Sequence, residues 1–318
     1  MSKVINNMSK VIIRPTTHED WLACRMSGIG SSEVATIIGA NPYETPYQLW
    51  RRKKGIDGPK EENSAMHLGH ILEPAVAQLW QEKTGKSIIK RSAGDWVVYD
   101  EKYPYMRVSP DRLFWGKDKS PANRGILECK TTQMRIDEDS IPKYWLVQLQ
   151  YQLGVMGLKH GALAWLSMGR DFGHKSFRFH KDIFEAVQYK VTRFWEDNIL
   201  GDRPPKEENS SDILLMFDRH TDGKQLEATP EIMDEIANLK MLKAQKKQLE
   251  ESIGQGEEKV KLAMMDAGRI TCSGMTLVTW ETSKPSQKLD TKALMAAHPE
   301  ICQQYMTETP GTRRFLVK

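Results

Sequence analysis

The stretch from Ser109 to Thr132, SPDRLFWGKDKSPANRGILECKTT, constrains this chain more than any other. Strand formers from Tyr105 to Val108 lead into Pro110-Asp111. A polar interval with Gly116, Pro121 and Gly125 follows, and apolar Ile126-Leu127 then runs straight into Glu128-Cys129-Lys130. Two extended runs joined by turn residues predict a hairpin-like pair of strands. Side chains alternate across a strand, so Glu128 and Lys130 share one face while Leu127 and Cys129 share the other. If the first strand brings Asp111 alongside, two carboxylates and one ammonium converge, and the like charges repel unless a cation sits between them. Magnesium suits one or two carboxylates plus retained waters. Lys130 is then placed to orient a water-derived nucleophile. Glu-x-Lys alone has little weight, because Glu257-Glu258-Lys259 repeats it inside a helical run; the weight lies in the ordered pattern of Pro-Asp, turn interval, apolar pair and Glu-x-Lys.

The rest of the composition narrows the class. At 318 residues the chain has room for one large domain or two ordinary ones. No window approaches the roughly 18 apolar residues of a membrane span, and the N-terminus lacks an apolar secretory region, so a cytoplasmic protein without a membrane partner is expected. Cys24, Cys129, Cys272 and Cys302 are scattered, which disfavours a disulfide framework, a zinc knuckle or an iron–sulfur nuclease. A net charge of +4 neither demands nor excludes nucleic acid. The local run Arg51-Arg52-Lys53-Lys54 reads as a solvated helix end or a phosphate contact.

In chain order, the repeated MSKVI at Met1 and Met8 resembles a duplicated or alternative start rather than a structural repeat. Trp21, Leu22 and Arg25 fit a short helix broken by Gly28 and Gly30. Ser31 or Ser32 caps the next helix, and a Gly-x-Gly-Ser-Ser turn at a helix N-terminus is also a ready phosphate site, with Arg25 as a bidentate partner. Thr45-Pro46 starts another helix. Leu68, Leu72, Val76, Leu79 and Trp80 recur at helical spacing, which predicts a long amphipathic helix. Glu73 lies beside that apolar face, either paired with a cation or aimed at a metal, and His67 and His70 flank it as surface residues. A strand with a turn at Ala93–Asp95 precedes the central hairpin. Beyond it, Leu146, Leu149, Leu153 and Met156 mark a helix on which Gln148 and Gln152 stand one turn apart. A strand from Ala162 to Ser167, a second at 174–180 and a helix from Lys181 to Leu200 close the domain.

Four motifs in order resemble the lambda-type phage exonuclease, or YqaJ-like viral recombinase, family of the PD-(D/E)xK nucleases. They are Arg25 with Ile29-Gly30-Ser31-Ser32-Glu33; Gly69-x-x-x-Glu73; Ser109-Pro110-Asp111 with Leu127-Glu128-Cys129-Lys130; and Gln148-Leu149-Gln150-Tyr151. The resemblance implies an α/β restriction-endonuclease-like core with a mixed central sheet flanked by helices. It also implies that Asp111, Glu128 and the backbone carbonyl of Cys129 hold Mg2+, for which Mn2+ substitutes. Lys130 would position the water, Glu73 and Gln148 would complete the catalytic group, and Arg25, Ser32 and Ser31 would bind the 5′-phosphate. The implied activity is a 5′-to-3′ exonuclease acting on double-stranded DNA ends. Its partners would be a single-strand annealing recombinase and further copies of itself in a homotrimer. A structure-specific endonuclease or nickase with the same metal site, and a decayed DNA-binding scaffold, are the alternatives.

The nuclease domain is expected over 13–205, a linker over 206–230, and a helical and small α+β appendage over 231–318. In the appendage Ile232, Ile236, Leu239, Leu242, Leu249, Ile253 and Val260 form a narrow stripe interrupted at Gly254 and Gly256, as in a helical hairpin or a short coiled coil. A hairpin at Ser273-Gly274, a helix from Thr291 to Ala297 and a last strand from Arg314 to Val317 follow.

Overall fold

The computed structural model describes residues 2–6, 10–58, 63–89, 96–116, 119–120, 123–308 and 311–318. It divides into two units, Met1–Leu215 and Met216–Lys318. The segment 206–215, expected as linker, belongs to the first: Asp212 is fully buried there and accepts from the Thr45 hydroxyl at 2.7 Å. A buried carboxylate with a buried hydroxyl donor fixes a segment that its polar composition alone would release.

The first unit opens with β1 (Ser2–Asn6) and β2 (Lys10–Arg14), paired antiparallel, so the MSKVI repeat supplies two strands of one hairpin. Then come α1 (His18–Met26), the two-residue strand β3 (Ile29–Gly30), a 3-10 turn at Ser31–Glu33, α2 (Val34–Ile37) and α3 (Pro46–Lys53). Thr45 caps α3 through its hydroxyl, with Gln48 reaching back to the Thr45 N–H. The long α4 (Ser64–Thr84) is followed by β4 (Val97–Asp100), β5 (Tyr103–Val108), β6 (Arg112–Phe114) and β7 (Gly125–Thr132). The turn expected at Ala93–Asp95 lies outside the described residues. Next are α5 (Lys143–Met156), β8 (His160–Ser167), β9 (Asp171–Arg178), α6 (Lys181–Arg193) with a π-helical extension at Phe194–Leu200, and α7 (Ser210–Met216).

The strands form two mixed sheets where one central sheet was expected. One has the order β1-β2-β4-β5-β3 and the other β6-β7-β8-β9. In the second, β7 runs antiparallel to β6 and parallel to β8, with α5 as the crossover between the parallel strands. On one face of that sheet, Val76, Ala77 and Trp80 of α4 pack on Leu127, Cys129, Ala162 and Ala164. Of the stripe expected on α4, Leu68 at its N-terminal end stays exposed and Leu72 is half-buried, so only its C-terminal part joins this core. Helix α5 is buried nearly all round, carrying Gln148, Gln150 and Gln152 inward with Leu149 and Leu153.

In the second unit α8 (Pro230–Met264) runs uninterrupted through Gly254 and Gly256, which excludes the helical hairpin. The hairpin of β10 (Arg269–Cys272) and β11 (Met275–Thr279) turns at Ser273-Gly274 as expected. Helices α9 (Thr291–Ala297) and α10 (Pro299–Gln304) follow, and residues 314–317 form no strand.

Candidate active site

The turn between β5 and β6 delivers Asp111. Ser109 anchors that turn by donating its hydroxyl to the Trp96 carbonyl at 2.6 Å, and β6 then pairs with β7 in a register that sets Arg112 opposite Leu127. The next position back puts Asp111 beside Glu128, and Asp111 Oδ2 accepts from the backbone N–H of Cys129 at 2.7 Å. Alternation along β7 behaves as the sequence required. The Cys129 side chain enters the core beneath α4, while Glu128 and Lys130 face α5. Lys130 Nζ donates to Glu128 Oε1 at 2.7 Å and to Gln148 Oε1 at 3.0 Å.

Glu128 is 2% exposed, far from the solvated edge that a bare Glu-x-Lys suggests. Its charge is held by amides from α5: Gln148 Nε2 donates to Oε1, and Gln152 Nε2 donates to Oε2 at 2.9 Å and to Ser31 Oγ at 3.2 Å. One helical turn separates the two glutamines, so one helix face clamps both oxygens. Ser31 is thus buried behind the carboxylate and does not cap a helix; the side chain that closes the 3-10 turn is Glu33, which accepts from the Gly30 N–H at 2.8 Å. Glu73 accepts from the Arg112 guanidinium at 2.5 Å, which resolves its position on α4 as an ion pair.

A cleft of about 970 Å3 is lined by Glu73, Asp111, Glu128 and Lys130 and also by Arg25 and Ser32. Arg25 stacks over the Trp21 ring at 4.8 Å and donates to Ser32 Oγ at 3.2 Å. The basic run on α3 supports this wall from behind. Lys53, with no side-chain exposure, pairs with Glu33 at 2.7 Å and donates to the carbonyls of Arg25 and Gly28, while Arg52 bridges Glu33 and Glu44. Arg51 pairs with Asp57 and Lys54 with Asp202, so all four basic residues engage carboxylates within the unit.

Residues 20–159 match the family model described as the YqaJ-like viral recombinase domain. Across both units the chain is 27% identical over 315 residues to the uncharacterized protein YqaJ of Bacillus subtilis (strain 168), covering 95% of this chain and 94% of that one. Among solved structures it is similar to an alkaline exonuclease from Laribacter hongkongensis, at 16% identity and a TM-score of 0.44, over 57% of this chain and 93% of that one. A phage-related exonuclease from Haemophilus somnus 129PT gives 11% identity and a TM-score of 0.40 over 55% and 96%.

Within this cleft the charges are unbalanced. Burial, and then the neighbouring Glu128 and Glu73, push the Asp111 carboxyl well above the ordinary aspartate value against the opposing pull of Lys130. Burial works against the Lys130 ammonium, but Glu128 and Asp111 outweigh it and hold Lys130 above the ordinary lysine value. Burial, then Asp111 and Glu128, likewise raise the Cys129 thiol well above its usual range. A protonated thiol facing the core is no metal ligand, so Cys129 can serve a cation only through its backbone. Among the described residues no three His, Cys, Asp or Glu side chains gather as a metal cage, His67 and His70 included. What remains, two crowded carboxylates in an open cleft, is an oxygen-only partial set. It fits a hard divalent cation that keeps part of its water shell.

Sequence reasoning missed Gln152, Lys53 and Arg112 as parts of this site. Gln152 had a signal, its helical spacing from Gln148. Lys53 and Arg112 had none, since their partners Glu33 and Glu73 lie 20 and 39 positions away.

Proposed function

We propose that this chain is a metal-dependent deoxyribonuclease that digests one strand of linear duplex DNA from the 5′ end towards the 3′ end. The single strand it leaves would feed annealing-type recombination, with an annealing protein as partner. The observation that carries this reading is the gathering of Asp111, Glu128 and Lys130 in one cleft with Arg25 and Ser32. Asp111 and Glu128 would hold Mg2+, or Mn2+ in its place, with the Cys129 carbonyl as a further ligand. When bound, the cation supplies charge neutralisation at the scissile phosphate and a more acidic water.

The protein's own groups do the rest. The Cys129 N–H fixes the orientation of Asp111, and Gln148 and Gln152 hold Glu128 so that neither carboxylate must reorganise during reaction. Lys130, anchored by Glu128 and Gln148, orients the attacking water and stabilises its developing negative charge. Arg25 presents a planar guanidinium fork to a terminal phosphate, with the Ser32 hydroxyl beside it. A phosphate gripped there would fix which bond lies at the carboxylates.

The test is digestion of linear duplex DNA bearing a 5′-phosphate, compared with 5′-hydroxyl ends and with covalently closed circles, with and without chelator. Release of nucleotides from phosphorylated ends only, abolished by chelator, is the expected result. Lys130→Ala is expected to lower the rate by about 1,000-fold, and Arg25→Ala to erase the preference for the 5′-phosphate. Cutting of closed circles would make the chain an endonuclease, and full activity in both Lys130→Ala and Glu128→Ala would end the reading.

A further inference from the structure

Tyr43 stands on the loop between α2 and α3 and is 68% exposed. Tyr189 of α6 is equally exposed, and no ring packs on it among the described residues. Tyr43 differs, because three aromatic rings form a column from the core out to it. Trp145, 4% exposed, meets Tyr144 edge to face at 6.0 Å, and Tyr144 meets Tyr43 edge to face at 6.2 Å. Perpendicular pairs of this kind are favourable for aromatic rings, so the outermost ring is braced.

The backbone beneath that ring is fixed as well. Asn41 Oδ1 accepts from the Tyr43 N–H at 3.0 Å, and Asn41 Nδ2 donates to the hydroxyl of buried Thr36 at 2.7 Å. On the other flank Glu44 accepts from the same hydroxyl at 3.3 Å and from Arg52 at 2.9 Å. These tethers hold the loop whether or not position 43 carries a ring, so the ring is surplus to the fold.

Helix α5 relates it to the cleft. Gln152, Gln148 and Tyr144 recur every four residues, about 6 Å apart along the axis, on one side of the helix. Gln152 meets Ser31, next to the Ser32 and Arg25 of the phosphate wall. Gln148 meets Glu128 and Lys130. Burial, then the Tyr43 hydroxyl beside it, push the Tyr144 phenol up to about 12 against the pull of Lys130, so Tyr144 lies within reach of that ammonium and stays neutral beside DNA. Asn41 and Glu44, on either side of Tyr43, line the cleft. The order along α5 is therefore terminal phosphate, carboxylates, tyrosines. A strand with its 5′ end at Arg25 and its scissile bond at the carboxylates brings its next base to the rings. Bases of any sequence stack on aromatic faces, and sites that hold single strands add cations nearby; Lys143, exposed next to Tyr144 in the chain, supplies one.

We propose, resting on the nuclease reading above, that Tyr43 braced by Tyr144 is a nucleobase-stacking site for the second nucleotide of the digested strand, the first one kept beyond the scissile bond. The test is equilibrium binding of the full chain, in chelator and at low salt, to a blunt duplex bearing a 5′-phosphate, followed by fluorescence anisotropy. Tyr43→Ala is expected to weaken binding by about tenfold, and Tyr43→Phe, which keeps the ring, by less than about twofold. An abasic second nucleotide should cost the wild-type chain about tenfold but the Tyr43→Ala chain less than about twofold, because the same contact is already gone. An abasic fifth nucleotide should cost both chains alike. Position 43 is exposed, so the variants keep the fold, which the far-UV signal checks. Wild-type affinity in Tyr43→Ala, a phenylalanine variant as weak as the alanine one, or a second-nucleotide penalty undiminished in Tyr43→Ala would each overturn the stacking site. Digestion of phosphorylated ends by the wild-type chain would stand in all three cases, whereas its absence would end the nuclease reading itself.

Discussion

Helix α5 is fourteen residues long and buried on nearly every side, whereas α8 runs for thirty-five and leaves its sides open. Both carry polar residues at positions where an amphipathic helix would place leucine. In α5 these are Gln148 and Gln152, turned inward to Glu128, and in α8 it is Lys246, turned along the surface to Glu250. A polar group drawn into a core is costly unless its partners are fixed, so a helix that accepts three buried glutamines is arranged for what those amides hold. One of them stays incompletely satisfied, since Gln152 Oε1 is buried without a hydrogen-bond partner among the described residues. The surface helix has no such constraint, and its apolar residues form a narrow exposed stripe.

The largest effect that would sharpen this contrast is catalytic. Lys130→Ala is expected to lose about 1,000-fold in nucleotide release, while the α8 variant Leu242→Lys keeps its rate per chain within about threefold. Equal losses in the two would break the division of labour between the helices. Next in size, Lys53→Met removes the buried partner of Glu33 and should cost roughly 3 kcal/mol in chemical denaturation of the first unit. Gln152→Leu should cost about 1–2 kcal/mol, because Glu128 Oε2 loses a donor while the orphaned amide oxygen is also removed.

A pH series probes the same buried pair from the other side. Burial opposes ionisation of Glu33, but Lys53, Arg52 and Arg25 together hold it below the ordinary glutamate value of 4.5. A carboxyl depressed on folding stabilises the protein above its unfolded value and loses that contribution as pH falls through its folded one. The first unit is therefore expected to lose stability progressively below about pH 4.5, and the loss should shrink in Glu33→Gln. For Lys53, burial lowers the ammonium more than Glu33 raises it. The 2.7 Å contact and the two carbonyls that accept from Nζ nonetheless describe a charged pair at neutral pH. The smallest effect is expected on α8, where Lys261→Ala, breaking its exposed pair with Glu257, should leave the denaturation curve unmoved.

Much of the site was legible because it depends on short-range rules. Alternation placed Glu128 and Lys130 on one face, and helical spacing put Gln148 and Gln152 on one side of α5. Pairings across long loops were not legible. The burial of Asp212 against Thr45 turned an expected linker into part of the first unit, and nothing near residue 212 announces a hydroxyl 167 positions away. Serine before a helix reads as a cap, yet the Ser31 hydroxyl accepts from Gln152, because a tertiary partner outbid the local one. Glycine as a breaker also failed: Gly254 and Gly256 sit inside α8, where about 1 kcal/mol each is too little to end a helix of that length.

Gly28 stands where a Cβ would come within 2.5 Å of the Tyr105 carbonyl oxygen and 2.9 Å of the Arg107 side chain. Ser32, four residues on, points into open cleft. A library of random substitutions scored for soluble expression should therefore tolerate almost anything at position 32 and almost nothing at position 28. As far as folding is concerned, this wall of the cleft is free to vary in chemistry at position 32 and bound in shape at position 28.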